Sequence, residues 1–412
     1  LIKRTMQESI ISGHCDPRFE KVHEAFSSSF KEEFEVGASV AIEYQGEMVV
    51  NLWGGYQDAS KKKTWEEDTI VNVFSTTKGV TATCIAKLID EGLLDVEKKV
   101  SHYWPEYGCN GKEDTKVSDL LCHRAGMFGF QEGLPINQWM DWDKFIEILE
   151  KQAPFHKPGS SQGYHALTYG WLVGEVVRRV DGRTVGQYFK EEIADPLNID
   201  FKIGLDTTDL DRCAETLLLS QEQNAKSPLE YIRYVPDFIL PRQLKNLKDS
   251  IKGGHFLIAF ESNSAQDEDY VNSQEWRKAE IPSANGHGTA KGLAKLYGIL
   301  STGCSRDSFT IMKPETIQLA TTPLSSGPDS VLFGSDITFG LGYEVGNRMT
   351  NMGNMSPKFS NKMFGHAGVG GTVAFGDLDK GLGYAFLCNK QHELRKLYKT
   401  SNELVDALYT IV

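Results

Sequence analysis

Residues 71–94 read VNVFSTTKGVTATCIAKLIDEGLL, and the order of residue types in this stretch decides how the rest of the chain is read. Val71, Val73 and Phe74 make a short apolar run with the character of a buried strand. Behind it Val80, Cys84, Ile85, Leu88 and Ile89 recur at helical spacing, and Gly92 supplies a stop. The pattern predicts a strand running into an amphipathic helix, with Ser75 at the opening and Lys78 one turn inside. A hydroxyl there meets the positive end of the helix dipole. An amine one turn behind it, withdrawn from water, loses its charge and can take the hydroxyl proton. The competing reading, Ser75 as a plain N-cap and Lys78 as a solvated helix residue, stays open on this stretch alone. Two other Ser-x-x-Lys matches, Ser28 to Lys31 in SSSFKEEFE and Ser60 to Lys63 in DASKKKTWEED, sit in polar surroundings where a lysine keeps its charge.

On the N-terminal side, ASVAIEYQG (38–46) and EMVVNLWG (47–54) alternate apolar and polar residues around Gln45 and Gly46, which predicts a β-hairpin. FGLGYEVG (339–346), FGHAGVGGTVAFGD (364–377) and LGYAFLCN (382–389) predict matching strands near the other end, followed by a helix over 392–411. Between them, VSDLLCHRAG, DWDKFIEILEKQ, TYGWLVGEVVRRVDG and TVGQYFKEEIADPL fit a helical period. Strands at both ends with helices between imply an α+β architecture. Residues 1–97 and 286–412 build an antiparallel sheet flanked by helices, residues 98–285 form an inserted, mainly helical domain, and the active site lies in the cleft between them. Residues 221–280 show no clean period and read as loops with short helices bordering that cleft.

A chain of 412 residues with 40% hydrophobic content buries a substantial core, and a formal charge of −12 speaks against nucleic acid or an anionic membrane as the main partner. A small neutral or cationic substrate fits better. The seven cysteines are scattered without CxxC pairs or metal-like spacing, so reduced thiols, no metal and no cofactor are expected. With no membrane-length apolar run and no secretory character in LIKRTMQESI, the expected location is cytoplasmic. Nothing in the sequence speaks to oligomeric state.

Two further candidates lie away from Ser75. Tyr164, in KPGSSQGYHALTYGWLVGEV, precedes a helix starting near Leu167, where a tyrosine either faces a cleft or packs as an ordinary aromatic. His366, in FGHAGVGG, sits among glycines that let backbone approach a ligand and leave the Val369 N–H as an oxyanion donor. His123, His165 and His287 read as structural or peripheral.

The segments LWGGYQDA, TIVNVFSTTKGV, EGLLD, VSDLLCHRAGM, GYHALTYGWLVGEVVRR, PSANGHGTAKGLAKLY, FGLGYEV and GHAGVGGTVAFGD together resemble the serine β-lactamase and penicillin-binding-protein superfamily, most closely its family VIII carboxylesterase branch. The resemblance implies Ser75 as acylated nucleophile, Lys78 as base or relay, and Tyr164 as the proton-shuttling tyrosine of a second motif. It also implies His366, Ala367 and Gly368 as a substrate-binding third motif, with backbone N–H groups of Ser75 and Val369 as the oxyanion hole. Ala166 stands where β-lactamases commonly carry asparagine, and His366 where they carry lysine. Both changes remove contacts that favour amides bearing a carboxylate, so the expected substrate is a small uncharged ester, with little or no β-lactamase activity. An amide hydrolase or D-amino-acid peptidase, an acyltransferase, and a non-catalytic scaffold are the alternatives.

Overall fold

The structure, a computed structural model, describes residues 10–133, 138–219, 232, 235–237, 240–260, 270–346 and 360–412. Its first strands are β1 (Ile11–Cys15), β2 (Gly37–Tyr44), β3 (Glu47–Gly55) and β4 (Val71–Asn72), followed far along the chain by β5 (Phe201–Ile203) and β6 (Gly286–Gly288). The C-terminal part adds β7 (Ser305–Arg306), β8 (Phe309–Thr310), β9 (Ser325–Pro328), β10 (Asp336–Phe339) and β11 (Glu344–Val345). Then come β12 (Met363–Ala367), β13 (Val373–Asp377) and β14 (Leu382–Cys388). Nine of them form one antiparallel sheet in the order β1-β3-β2-β14-β13-β12-β11-β10-β9. The join is β2 against β14, where the two ends of the chain pair from Ala38 with Cys388 to Tyr44 with Leu382.

Alternation along these strands sorts their side chains onto two faces. Val40, Ile42, Tyr384 and Phe386 pack with Phe19, Val22 and Phe26 at the N-terminal side and Leu404, Val405 and Leu408 at the C-terminal side. Ala41, Ala385 and Leu387 point the other way, to Leu293, Leu296 and Tyr297 of the helix Ala290–Ser301. Small residues let this helix lie close. A side-chain carbon on Gly383 would fall 2.1 Å from the Ala294 carbonyl oxygen and 2.2 Å from the Gly298 nitrogen.

β4, β6 and β5 form a second, three-stranded sheet that fixes the approach to residues 74–90. Phe74–Thr76 make a 3₁₀ turn, and the helix Thr77–Asp90 follows directly, closed by Gly92 at φ 73°. The expected amphipathic stripe is too narrow: every residue from Thr77 to Leu88 is buried. Polar Thr81 and Thr83 are accommodated because their hydroxyls donate to the Pro282 carbonyl and pair with the Tyr343 hydroxyl.

Other differences from the sequence reading have local causes. The stretch 339–346 is two strands, broken at Gly340–Tyr343 where Gly342 takes φ 89°. Likewise 364–377 is a hairpin, β12 and β13, turning through Gly368–Gly371. The last helix runs only over Lys399–Leu408, preceded by a 3₁₀ turn at Leu394–Lys396. Within 221–280 the described residues include the helices Arg242–Gly253, His255–Ala259 and Gln274–Lys278, and the rest of the loop reading lies largely outside the described residues. All seven cysteines are free thiols. Among the described residues no helix is long and apolar enough to cross a membrane, and no cluster of His, Cys, Asp or Glu has the arrangement to hold a metal ion.

The contact of Gly383 with helix backbone generates a test of the packing. Gly383→Ala is expected to destabilise the fold by about 2–3 kcal/mol, because the atoms in the way belong to the main chain and cannot rotate aside. Urea unfolding followed by circular dichroism measures it.

Candidate active site

Ser75 lies on the 3₁₀ turn and Lys78 on the first turn of the helix behind it, so both side chains project from one short buried segment. That segment is stapled to the β12–β13 turn. The Thr372 hydroxyl donates to the Val73 carbonyl at 2.8 Å and lies 3.0 Å from the Thr76 hydroxyl. Gly368 closes the contact, since a side-chain carbon there would stand 2.4 Å from the Val73 carbonyl oxygen. Phe74 carries the conformational load of the turn, with φ at 47°.

Lys78 is fully buried, and its Nζ makes three contacts: the Ala166 carbonyl oxygen at 2.8 Å, the Ser283 carbonyl oxygen at 2.9 Å and Ser75 Oγ at 3.1 Å. Burial lowers its pKa well below the ordinary lysine value, and the nearby Glu344 opposes this only in part. An uncharged amine has two N–H groups and one lone pair. Carbonyl oxygens only accept, so the two N–H groups go to Ala166 and Ser283 and the lone pair faces Ser75. In that amine form the serine hydroxyl would donate across the third contact, toward a base. The two segments that carry these carbonyls are joined to each other, the Ser283 hydroxyl donating to the Leu167 carbonyl at 2.7 Å.

Tyr164 is buried at the same spot, with the Lys78 amine 4.9 Å from its ring centroid. Desolvation raises its pKa well above the usual phenol value, and Glu344 raises it further, while a hydrogen bond with Ser75 acts the other way. The resting phenol is neutral. Ser75, Lys78 and Tyr164 thus lie together.

Ser75, Tyr164, Ala367 and Val369 line one small cavity of about 20 Å³ together with Phe260, Leu332, Glu344 and Tyr398. A larger cavity of about 580 Å³, near Thr322, Lys362 and Asp379, shares none of these residues. His366 and Gly368 stand behind the wall. His366 is fully buried, its Nδ1 2.8 Å from the Ala367 carbonyl and its Nε2 3.5 Å from Glu344 Oε1. Burial and the neighbouring Lys78 push its pKa well below the usual imidazole value. His165 and His287 are structural as expected, each held to a backbone carbonyl and kept neutral by burial at a pKa of about 3. His123, at φ 61°, accepts the His165 backbone N–H, and its ring lies tilted against Tyr164 with centroids 4.8 Å apart.

Two residues were missed by sequence reasoning. Glu344 ends the FGLGYE run and lines the cavity, yet a lone acid in a Gly-rich strand gives no signal of burial. Asp329 is the other. One of its carboxylate oxygens accepts the N–H groups of Tyr164 at 3.1 Å, Val331 at 2.9 Å and Leu332 at 3.0 Å, while the second accepts from Gln162 Nε2 at 3.3 Å. It joins the loop bearing Tyr164 to the loop bearing Leu332, across a sequence distance that no local pattern spans.

With this geometry described, the relatives can be placed beside it. The sequence model of the family described as Beta-lactamase matches residues 26–407. The chain is 32% identical over 381 residues to the Esterase/beta-lactamase LipL of Mycobacterium tuberculosis, covering 92% of this chain and 83% of that protein. A crystal structure of a family VIII carboxylesterase superposes with a TM-score of 0.82 at 33% identity, covering 98% of this chain and 100% of the other. A penicillin-binding-protein homologue from Caulobacter crescentus gives a TM-score of 0.80 at 34% identity, with 98% and 100% covered. The chain belongs to the β-lactamase family and is a serine hydrolase of that superfamily. The expected α+β, β-lactamase-like fold is borne out with it.

The Asp329 junction predicts an asymmetry between two substitutions. Asp329→Ala strips acceptors from three buried N–H groups and is expected to cost about 3 kcal/mol of stability. Asp329→Asn keeps the oxygen that serves them, and a rotated Gln162 amide can accept from the new side chain, so its loss is expected to stay near 1 kcal/mol. Thermal and urea unfolding of both variants distinguish them.

Proposed function

We propose that this chain cleaves small, uncharged carboxylic esters through an acyl intermediate on Ser75. The observation that carries the reading is the placement of the buried Lys78 Nζ 3.1 Å from Ser75 Oγ, between the carbonyl oxygens of Ala166 and Ser283. Ser75 Oγ attacks the ester carbonyl as its proton passes to Lys78 Nζ, a positioned base contributing on the order of 10² to 10⁴ in rate. The tetrahedral oxygen is received by the backbone N–H groups of Ser75 and Val369, donors typically worth about 10² to 10³ each. Tyr164, a neutral phenol in contact with Ser75, passes a proton to the departing alkoxide and refills from Lys78. Water then attacks the acyl group along the same relay in reverse.

The substrate class follows from the electrostatics of the wall. His366 is held neutral by burial, and Ala166 offers only its backbone carbonyl, already committed to Lys78. Among the described residues lining the cavity, a substrate carboxylate finds no fixed cation and an amide no side-chain amide partner. Phe260, Leu332 and Tyr398 around so small a cavity favour short acyl groups. In this reading residues 98–285 form the inserted unit whose Tyr164 and Phe260 face the sheet across the cleft, and the protein works in the cytoplasm on a small-molecule ester.

Ser75→Ala is expected to abolish p-nitrophenyl ester hydrolysis and the fluorophosphonate adduct seen by intact-mass spectrometry, with the circular dichroism unchanged. Turnover or labelling surviving in that variant overturns the nucleophile assignment. Faster turnover of nitrocefin or a D-alanine amide than of the short ester would shift the reading to the amide alternative, and absence of any adduct on the wild type to the scaffold. In pH dependence, the reactive form of Lys78 is the amine, and its pKa is lowered. kcat/KM for a neutral ester should therefore hold down to well below pH 10.5, the ordinary lysine value, and fall only on further acidification. A profile that rises only above that pH contradicts the base assignment.

A further inference from the structure

Tyr398 is buried and lines the Ser75 cavity beside Val369, yet the relay set out above gives its hydroxyl nothing to do. It stands just before the helix Lys399–Leu408, far along the chain from the nucleophile. Its hydroxyl donates to the Gly368 carbonyl at 3.3 Å. The same carbonyl accepts the Gly371 N–H at 2.9 Å, which closes the β12–β13 turn on itself. Backbone contact keeps the phenol and the turn together, since a side-chain carbon on Gly371, at φ 97°, would stand 3.0 Å from the Leu397 carbonyl oxygen.

The Gly368 carbonyl and the Val369 N–H belong to one peptide unit. Such a unit is planar and trans, so the two groups point in opposite directions and turn together. A donor that fixes the direction of the carbonyl therefore fixes the direction of the N–H as well. It also draws electron density toward the oxygen and leaves the N–H a stronger donor. On the other side the Val369 carbonyl accepts Gln391 Nε2 at 3.1 Å, so both peptide units that meet at Val369 are held. The Val369 N–H itself makes no hydrogen bond among the described residues.

We infer that Tyr398 is a positioning residue for the oxyanion hole, its phenol holding the Gly368–Val369 peptide so that the Val369 N–H is aimed at the tetrahedral oxygen before a substrate arrives. The inference deepens the reading proposed above and rests on Val369 being an oxyanion donor. A donor that must first turn toward the developing charge loses part of its worth at the moment of reaction. This turn needs a brace. Gly368 is required by the close approach to Val73, and with Gly370 and Gly371 beside it the stretch has few side chains to restrict its backbone. The restriction comes from outside the turn, through the Tyr398 hydroxyl and the Gln391 amide.

Tyr398→Phe removes one oxygen atom and keeps the ring. In this variant kcat for a short ester should fall about 10-fold, a part of the roughly 10² to 10³ that a whole oxyanion donor is worth, with KM unchanged. The loss should be the same for p-nitrophenyl acetate and ethyl acetate, because the oxyanion forms with either leaving group. Preference among acyl chains should stay as it is. A loss confined to ethyl acetate would make the phenol a proton donor, and a raised KM at unchanged kcat would make it a substrate contact. Either result overturns the inference, as does full activity.

A second readout needs no turnover. With carbon-13 in the glycine carbonyls and nitrogen-15 in the valine amides, only Gly79–Val80 and Gly368–Val369 give a carbonyl-to-amide NMR signal, since these are the Gly-Val pairs of the sequence. Loss of one signal in Val369→Ile assigns it. In Tyr398→Phe the Gly368–Val369 signal should shift, while Gly79–Val80, in the buried helix, should stay and report an intact fold. An unmoved Gly368–Val369 signal, or equal movement of both, overturns the brace even if Ser75 and Val369 carry the chemistry. The underlying reading is tested on the wild type, where a trifluoromethyl ketone, adding to Ser75 as a tetrahedral oxyanion, should shift the Val369 amide. An adduct that leaves this amide in place overturns the oxyanion assignment and the inference with it, so the two failures are told apart.

Discussion

The site depends on a lysine held where an ammonium ion is penalised by burial. Lys78 is fully buried, with the carbonyl oxygens of Ala166 and Ser283 and the hydroxyl of Ser75 within hydrogen-bond reach of its Nζ. Its surroundings support that arrangement: the buried helix that carries it, the strand pairing at β4 and β6 that fixes the start of the helix, and the hydroxyls of Thr81 and Ser283, which donate to the carbonyls of Pro282 and Leu167 beside it. A protein interior generally avoids an unpaired buried amine, because the alternative is a desolvated charge. Here the same penalty favours the unprotonated amine, the form able to accept a proton.

Close packing of backbone supplies the rigidity. Gly383 lets the helix Ala290–Ser301 rest on β14, and Gly368 lets the β12–β13 turn touch the turn bearing Ser75. Contacts between main-chain atoms cannot relax by a change of rotamer, so they hold Ser75, Val369 and the strand end at His366–Gly368 in one frame. The larger side chains, Phe260, Leu332 and Tyr398, are left to shape the space beside it.

Much of this was legible in the sequence because it is local. The hairpin at 38–54, the helix entry at Ser75, the stop at Gly92 and the helix beginning near Leu167 each follow from residue types a few positions apart. The nature of the Ser75–Lys78 pair was legible from its apolar flanks, which set it apart from the exposed lysines at 31 and 63. What escaped reading depends on distant chain segments. Thr81 and Thr83 look solvent-facing until the layers on either side close over them, and the strands around Gly342 and Gly368–Gly371 fold back at points that composition alone does not mark. Asp329 acquires its contacts only from loops brought together far away in sequence. Family and fold are matched by relatives along nearly the whole chain.

The staple between Thr372 and Val73 joins residues 299 apart in sequence. During synthesis the turn bearing Ser75 leaves the ribosome long before the hairpin that braces it exists, and the same holds for β2, which waits for β14. Until then the lysine is open to water and stays an ordinary cation, and the serine is an ordinary alcohol. Reactivity is thus gained late and all at once, so an unfinished chain carries no activated hydroxyl that could react with the metabolites around it.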